Sequence, residues 1–176
     1  MRSRADATTV AWTASFLALA CSLGLLESLL LPPLPIPGLK LGLSNLAVLV
    51  ALVALGPTRA LVVSLGRVVI VGLATGGILG PLGLLSLAGA VFAWVAMAIA
   101  WRLGRGAFSV IGLSLAGASA HVLGQLLVAC VLVDTFAPLY LTPLSLCLGI
   151  LSGLAIGYSA RLLLSHVPSP VISFAS

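Results

Sequence analysis

The stretch LLESLLLPPLPIPGLKLGLSNL, residues 25–46, decides how this chain is read. A glutamate, four prolines, a lysine and an asparagine interrupt a sequence that is almost wholly apolar on either side. Proline fixes its own φ and cannot continue a helix. An apolar run therefore ends near Leu31, and a new one begins after Gly42. The stretch is a stiff connector between two helices, and composition identifies the solvent of those helices. Apolar residues make up 61% of the 176, and charged residues only 6%. A soluble domain carries about 25% charged residues, so this chain cannot cover a globular surface with polar groups. Runs of about twenty apolar residues recur from end to end, each long enough to cross a bilayer. Backbone groups in lipid must be satisfied within the segment, which requires helices here, because the alternation of a barrel strand is absent. The chain reads as an all-α integral membrane protein, multi-pass in the cell membrane, with the lipid bilayer as its first partner.

Breaks at prolines, glycines and charges give six spans in one membrane domain covering residues 1–176. They run over about 10–31, 43–56, 58–74, 81–101, 108–133 and 137–164. Residues 32–42 form an outer, proline-rich loop. The second and third spans are short and read as tilted helices or as two arms of a broken hairpin around Gly56-Pro57. Ala18-Leu19-Ala20 resembles a signal-peptidase site, and the position before Cys21 is faintly lipobox-like. The apolar run continues unbroken past both, so it reads as a retained first helix. The basic residues supply the orientation. With the N-terminus inside, Arg2, Arg4, Arg59, Arg102, Arg105 and Arg161 all fall on the cytoplasmic side, and Lys40 alone falls outside. That is the positive-inside bias, and it places both termini in the cytoplasm.

The net charge of +5 is no nucleic-acid signal, because the basic residues are scattered and not interleaved with aromatics. Cys21, Cys130 and Cys147 lie inside apolar runs without metal or redox spacing and read as inert thiols. Gly149, Gly153 and Gly157 form a small-residue stripe on the last helix; Ala14 and Ala18 form a pair on the first. Each suits either close packing within the bundle or the docking of another membrane protein.

Six polar residues remain to be explained: Glu27, Lys40, Asn45, Arg67, His121 and Gln125. An ionisable group at membrane depth is costly, so it faces the protein interior and has a partner or a function. At a rise of about 1.5 Å per residue, Glu27 falls roughly 26 Å along the first helix, with His121 and Gln125 roughly 20 and 26 Å along the fifth. His121 and Gln125, four apart, share a face. Lys40 and Asn45 are expected at or just below the outer surface and Arg67 nearer the midplane. The convergence predicts a polar, outward-facing substrate pocket lidded by the proline-rich loop. Each residue also has a plainer reading: a Glu27–Lys40 ion pair, an interhelical hydrogen bond at His121 and Gln125, and a snorkelling Arg67. Lys40 and Arg67 would suit an anionic group on a ligand.

Motifs for metalloprotease, serine hydrolase, nucleotide-binding or haem-attachment chemistry are absent from the sequence. Asp6, Glu27 and Asp134 are its only acids, too few for a multi-carboxylate Mg²⁺ site. The chain therefore reads as a non-enzyme with no catalytic residue, metal site or cofactor. A partner or an ion gradient would supply any energy it uses.

PxPIPGLKLGLSN, the lone arginine in SLGRVVIVGLATGG, SLAGA followed by a methionine, and GASAHVLGQLLVA together resemble the Gx transporter family. That family also carries the label heptaprenyl diphosphate synthase component I. The resemblance spans roughly residues 20 to 165, and PGLKLGLSN is its specific part. Val122 stands where the family commonly has asparagine after the histidine. The resemblance implies a six-helix bundle similar to the S-components of energy-coupling-factor (ECF) transporters. In those, substrate sits under the first outer loop, an alanine face on the first helix meets a coupling subunit, and paired ATPases drive transport. Ala14 and Ala18 are the matching partner interface here. The resemblance also makes an isoprenoid-, quinone- or flavin-related ligand conceivable. Alternatives to a transport subunit are a non-catalytic accessory in isoprenoid or quinone metabolism, or a membrane part of an extracellular electron-transfer system.

Overall fold

A computed structural model of the chain describes residues 2–30, 42–104 and 108–166, the side chains of residues 2–6 excepted. Lys40 and Arg105 lie outside the described residues. The elements are α1 (Arg2–Leu30), α2 (Ser44–Leu55), α3 (Pro57–Ala74), α4 (Pro81–Leu103), α5 (Val110–Val133), a 3₁₀ turn (Ala137–Leu141) and α6 (Thr142–Leu164). Among the described residues there is no strand.

Five of the helices are long and apolar enough to cross a membrane. Their outward faces are apolar, with Leu29, Leu103 and Val131 each about 80% exposed, which suits lipid and not water. The second span differs from the other five. At 12 residues, α2 is about 18 Å long, well short of a hydrocarbon core of about 30 Å.

That short helix is the centre of the fold. Ala47, Val48, Leu49, Val50, Ala51, Leu52, Ala54 and Leu55 are each 2% exposed or less. A helix apolar on every side must be surrounded, and α1, α3, α5 and α6 enclose this one. Gly56 alone links it to α3. Its φ of 88° lies in the region that glycine adopts without strain, and Pro57 then opens α3 at a position where its missing N–H costs nothing. Two polar contacts pin this tight turn. Trp94 Nε1 donates to the Pro57 carbonyl at 2.8 Å, and Arg59 Nη1 donates to the Leu55 carbonyl at 3.0 Å, placing a cation at the end of α2 where the helix dipole favours it. Ser44 and Arg67 lie nearly equal distances along the chain from Gly56 and touch each other, so α2 and α3 run antiparallel.

The remaining helices pack through small residues. A side chain at Gly149, Gly153 or Gly157 would meet Val122, Ala118 or Ile111 within 2.9 Å. The stripe on α6 is thus consumed in close antiparallel packing on α5. Ser114 Oγ donates to the Gly153 carbonyl at 2.7 Å across the same seam. Ala14 and Ala18, by contrast, are exposed on the outer face of α1. The alternating helices bring Arg59, Arg102 and Arg161 to one end of the bundle, the end at which α1 begins.

Candidate functional site

The site exists because α2 starts part-way down the bundle. A Cβ added to Gly42, just before it, would lie 3.7 Å from the Ile156 side chain and 3.9 Å from that of Ser152, beside the middle of α6. Beyond that level α1, α3, α4 and α5 continue, and the space between them is a cavity of about 330 Å³. The turn after α3 folds back onto its rim. Ile78 N–H donates to the Gly72 carbonyl at 3.2 Å, and the Ile78 side chain fills the place a side chain on Gly72 would need.

Glu27, Asn45, Arg67, His121 and Gln125 all line this one cavity. Lys40, the sixth residue singled out in the sequence, is not among the described residues. Glu27 is 6% exposed, and its partners are backbone groups. Its Oε1 accepts from Gly42 N–H at 2.7 Å and its Oε2 from Leu43 N–H at 3.1 Å. Leu43 is the N-cap residue of α2 and Gly42 precedes it, so a carboxylate from α1 is tied to the backbone that leads into α2. The Glu27–Lys40 ion pair read from the sequence falls on a residue outside the described ones. The backbone donors carry no signature in residue type, so sequence alone does not reveal them.

Arg67 reaches the same place from α3. Its Nη1 donates to Ser44 Oγ and its Nη2 to Asn45 Oδ1 at 3.0 Å, while its Nε is buried without a partner. Ser44, 1% exposed, was missed because a serine at a helix start usually reads as an ordinary cap. Asn45 stands in the first turn of α2, which begins beside the middle of α6. The guanidinium is thus held by groups at the start of α2 and does not snorkel to an end of the bundle.

From α5, His121 and Gln125 face the cavity one turn apart, as their spacing requires. The His121 ring lies on Gly89 of α4: a Cβ there would sit 2.6 Å from ring atoms, so the glycine sets how far the ring can approach. Gln125 is 5% exposed, and its Oε1 is buried with no hydrogen-bond partner. Beneath the main cavity a small chamber of about 30 Å³ shares Gly42, Asn45, His121 and Gln125 and extends to Ser114 and Ser152. Among the described residues no group of three His, Cys, Asp or Glu could hold a metal ion. The arrangement offers one guanidinium, one tied carboxylate, two amides and an imidazole: a set for holding a polar molecule.

The sequence profile of a family described as heptaprenyl diphosphate synthase component I matches residues 16–163. The chain belongs to that family. The match runs from α1 to the last turn of α6 and includes every described residue of the cavity wall. No curated protein and no solved structure matches the chain.

Proposed function

We propose that the chain is a membrane subunit that captures a small molecule in the cavity between α1, α2, α3, α4 and α5. The observation that carries this is the meeting of five polar side chains from four helices on the wall of one cavity within an apolar bundle. Polar groups within an apolar bundle are expensive unless partnered or used, and Gln125 Oε1 has no hydrogen-bond partner among the described residues. In this reading both termini are cytoplasmic, on the arginine-rich end, and the chain crosses six times with α2 as a short return limb. The cavity then opens outward. The exposed Ala14 and Ala18 form the docking face for a coupling subunit of an ECF-like transporter with its ATPases.

The second reading is a non-catalytic accessory subunit of a prenyl diphosphate synthase, favoured by the family description itself. Native mass spectrometry of the protein, purified in mild detergent from its own membranes, separates the two. Capture predicts a retained small molecule that Arg67→Met releases. The accessory reading predicts a co-purifying soluble synthase and no retained molecule, and that outcome would replace the capture reading.

A further inference from the structure

Charge balance and hydrogen-bond balance on the cavity wall narrow the ligand. The inference rests on the capture reading above. The formally charged side chains on the described wall are Arg67 and Glu27, one of each sign. Both Glu27 oxygens are engaged by backbone N–H groups, and two Arg67 nitrogens by Ser44 and Asn45. A diphosphate would carry several negative charges into a wall whose own charges cancel, at a depth where each uncompensated charge must be desolvated. Among the described residues, one guanidinium, Arg67, is on the wall to meet an anionic ligand, the expectation from Lys40 and Arg67 in the sequence.

Gln125 supplies the positive half of the argument. It is buried, lines the cavity and carries a carbonyl oxygen with no partner among the described residues. A primary amide offers an acceptor beside two donors, and it can turn either group toward a ligand by a flip that leaves its outline unchanged. The amide group turned toward the cavity pairs with the complementary N–H or C=O of a ligand, and a ligand carrying both serves either orientation. Val68, Val71 and Leu82 provide apolar wall beside these polar groups. The volume, about 330 Å³, is at the small end of ligand pockets, which run from about 300 to 1,000 Å³.

We propose that the cavity takes a small, net-neutral molecule with an amide-type edge, such as a lactam, a ureide or an N–H/C=O heterocycle, read by Gln125, and that it does not take a diphosphate.

The test uses the full chain in mild detergent and four probes: thymine and nicotinamide as neutral amide edges, benzoate as a monoanion, and inorganic pyrophosphate. Binding is read by calorimetry and by shift in Tm. The amide-edge probes bind and raise Tm; pyrophosphate gives no shift. Gln125→Leu weakens the amide-edge probes by about tenfold or more, because the probe is left with unpaired groups. The same variant raises the Tm of the ligand-free protein by a few degrees, since it removes a buried, unpaired carbonyl; a merely structural glutamine would lower it. Gln125→Met repeats both readouts if leucine disturbs the fold. Pyrophosphate or benzoate binding more tightly than the amide probes overturns the ligand class and leaves capture standing. Unchanged amide binding in both Gln125 variants also overturns it. A panel in which no probe binds, together with no retained mass in native mass spectrometry, overturns capture itself.

Discussion

Replacing Glu27 with alanine removes the carboxylate that joins α1 to the start of α2. Two hydrogen bonds to an ionised acceptor are lost, at 2.7 and 3.1 Å. Bonds of this kind contribute about 1.5–3 kcal/mol each, whereas neutral interhelical bonds in a bilayer average about 0.6 kcal/mol. The Glu27 pair belongs toward the upper range, because the acceptor is charged. Gly42 borders the cavity, so water can reach one of the two freed groups and soften the loss. Arg67, on the same wall, loses a nearby opposite charge. The expected destabilisation is about 3 kcal/mol. Glu27→Gln keeps one acceptor and turns an amide N–H toward a backbone N–H, for an expected loss of about 2 kcal/mol. Reversible unfolding in mixed micelles titrated with SDS, followed by circular dichroism, measures both. The double variant Glu27→Ala with Arg67→Met should lose less than the sum of the singles by at least about 1 kcal/mol. A Glu27→Ala protein within about 0.5 kcal/mol of the wild type would show that the carboxylate does not hold α2, and the argument for its role would fail.

Three further outcomes follow from the packing. Gly157→Val puts a branched side chain 2.9 Å from the Ile111 Cα, where backbone cannot yield, and should cost about 2–3 kcal/mol in the same titration. Gly89→Ala places a methyl 2.6 Å from the His121 ring; it should cost about 1–2 kcal/mol and change ligand retention in native mass spectrometry, because the ring borders both chambers. The double variant Ala14→Leu with Ala18→Leu should alter stability by no more than about 0.5 kcal/mol, since both positions are exposed, while abolishing co-purification of a coupling subunit. A larger stability loss would show that this face packs within the bundle.

Helix boundaries were legible wherever proline or glycine punctuated an apolar run. Pro57, Pro81 and the Gly56 break each open or close a helix where the sequence placed it. The start of α1 was not legible, because hydropathy marks where lipid begins and the helix continues through Arg2 beyond it. The short second span was visible as an oddity, but its consequence was not. That α2 begins beside the middle of α6, and so leaves a cavity above it, depends on packing between residues far apart in sequence. The polar residues of the site were identifiable because a polar group in an apolar run is rare. Their partners were not: Glu27 bonds backbone, Arg67 bonds a serine of ordinary appearance, and His121 rests on a glycine of a different helix. The stripe at Gly149, Gly153 and Gly157 allowed two readings, and only the proximity of Val122, Ala118 and Ile111 decides for packing on α5.

Capture from outside requires a polar cavity open on the face opposite the arginine-rich end. Ser86 lies on its wall. In a background with Cys21, Cys130 and Cys147 replaced, Ser86→Cys can be challenged in intact cells with a membrane-impermeant maleimide. Labelling is expected from outside the cell and none when the reagent is confined to the cytoplasmic side of inverted vesicles. Labelling only from the cytoplasmic side, or from neither, would contradict capture from outside.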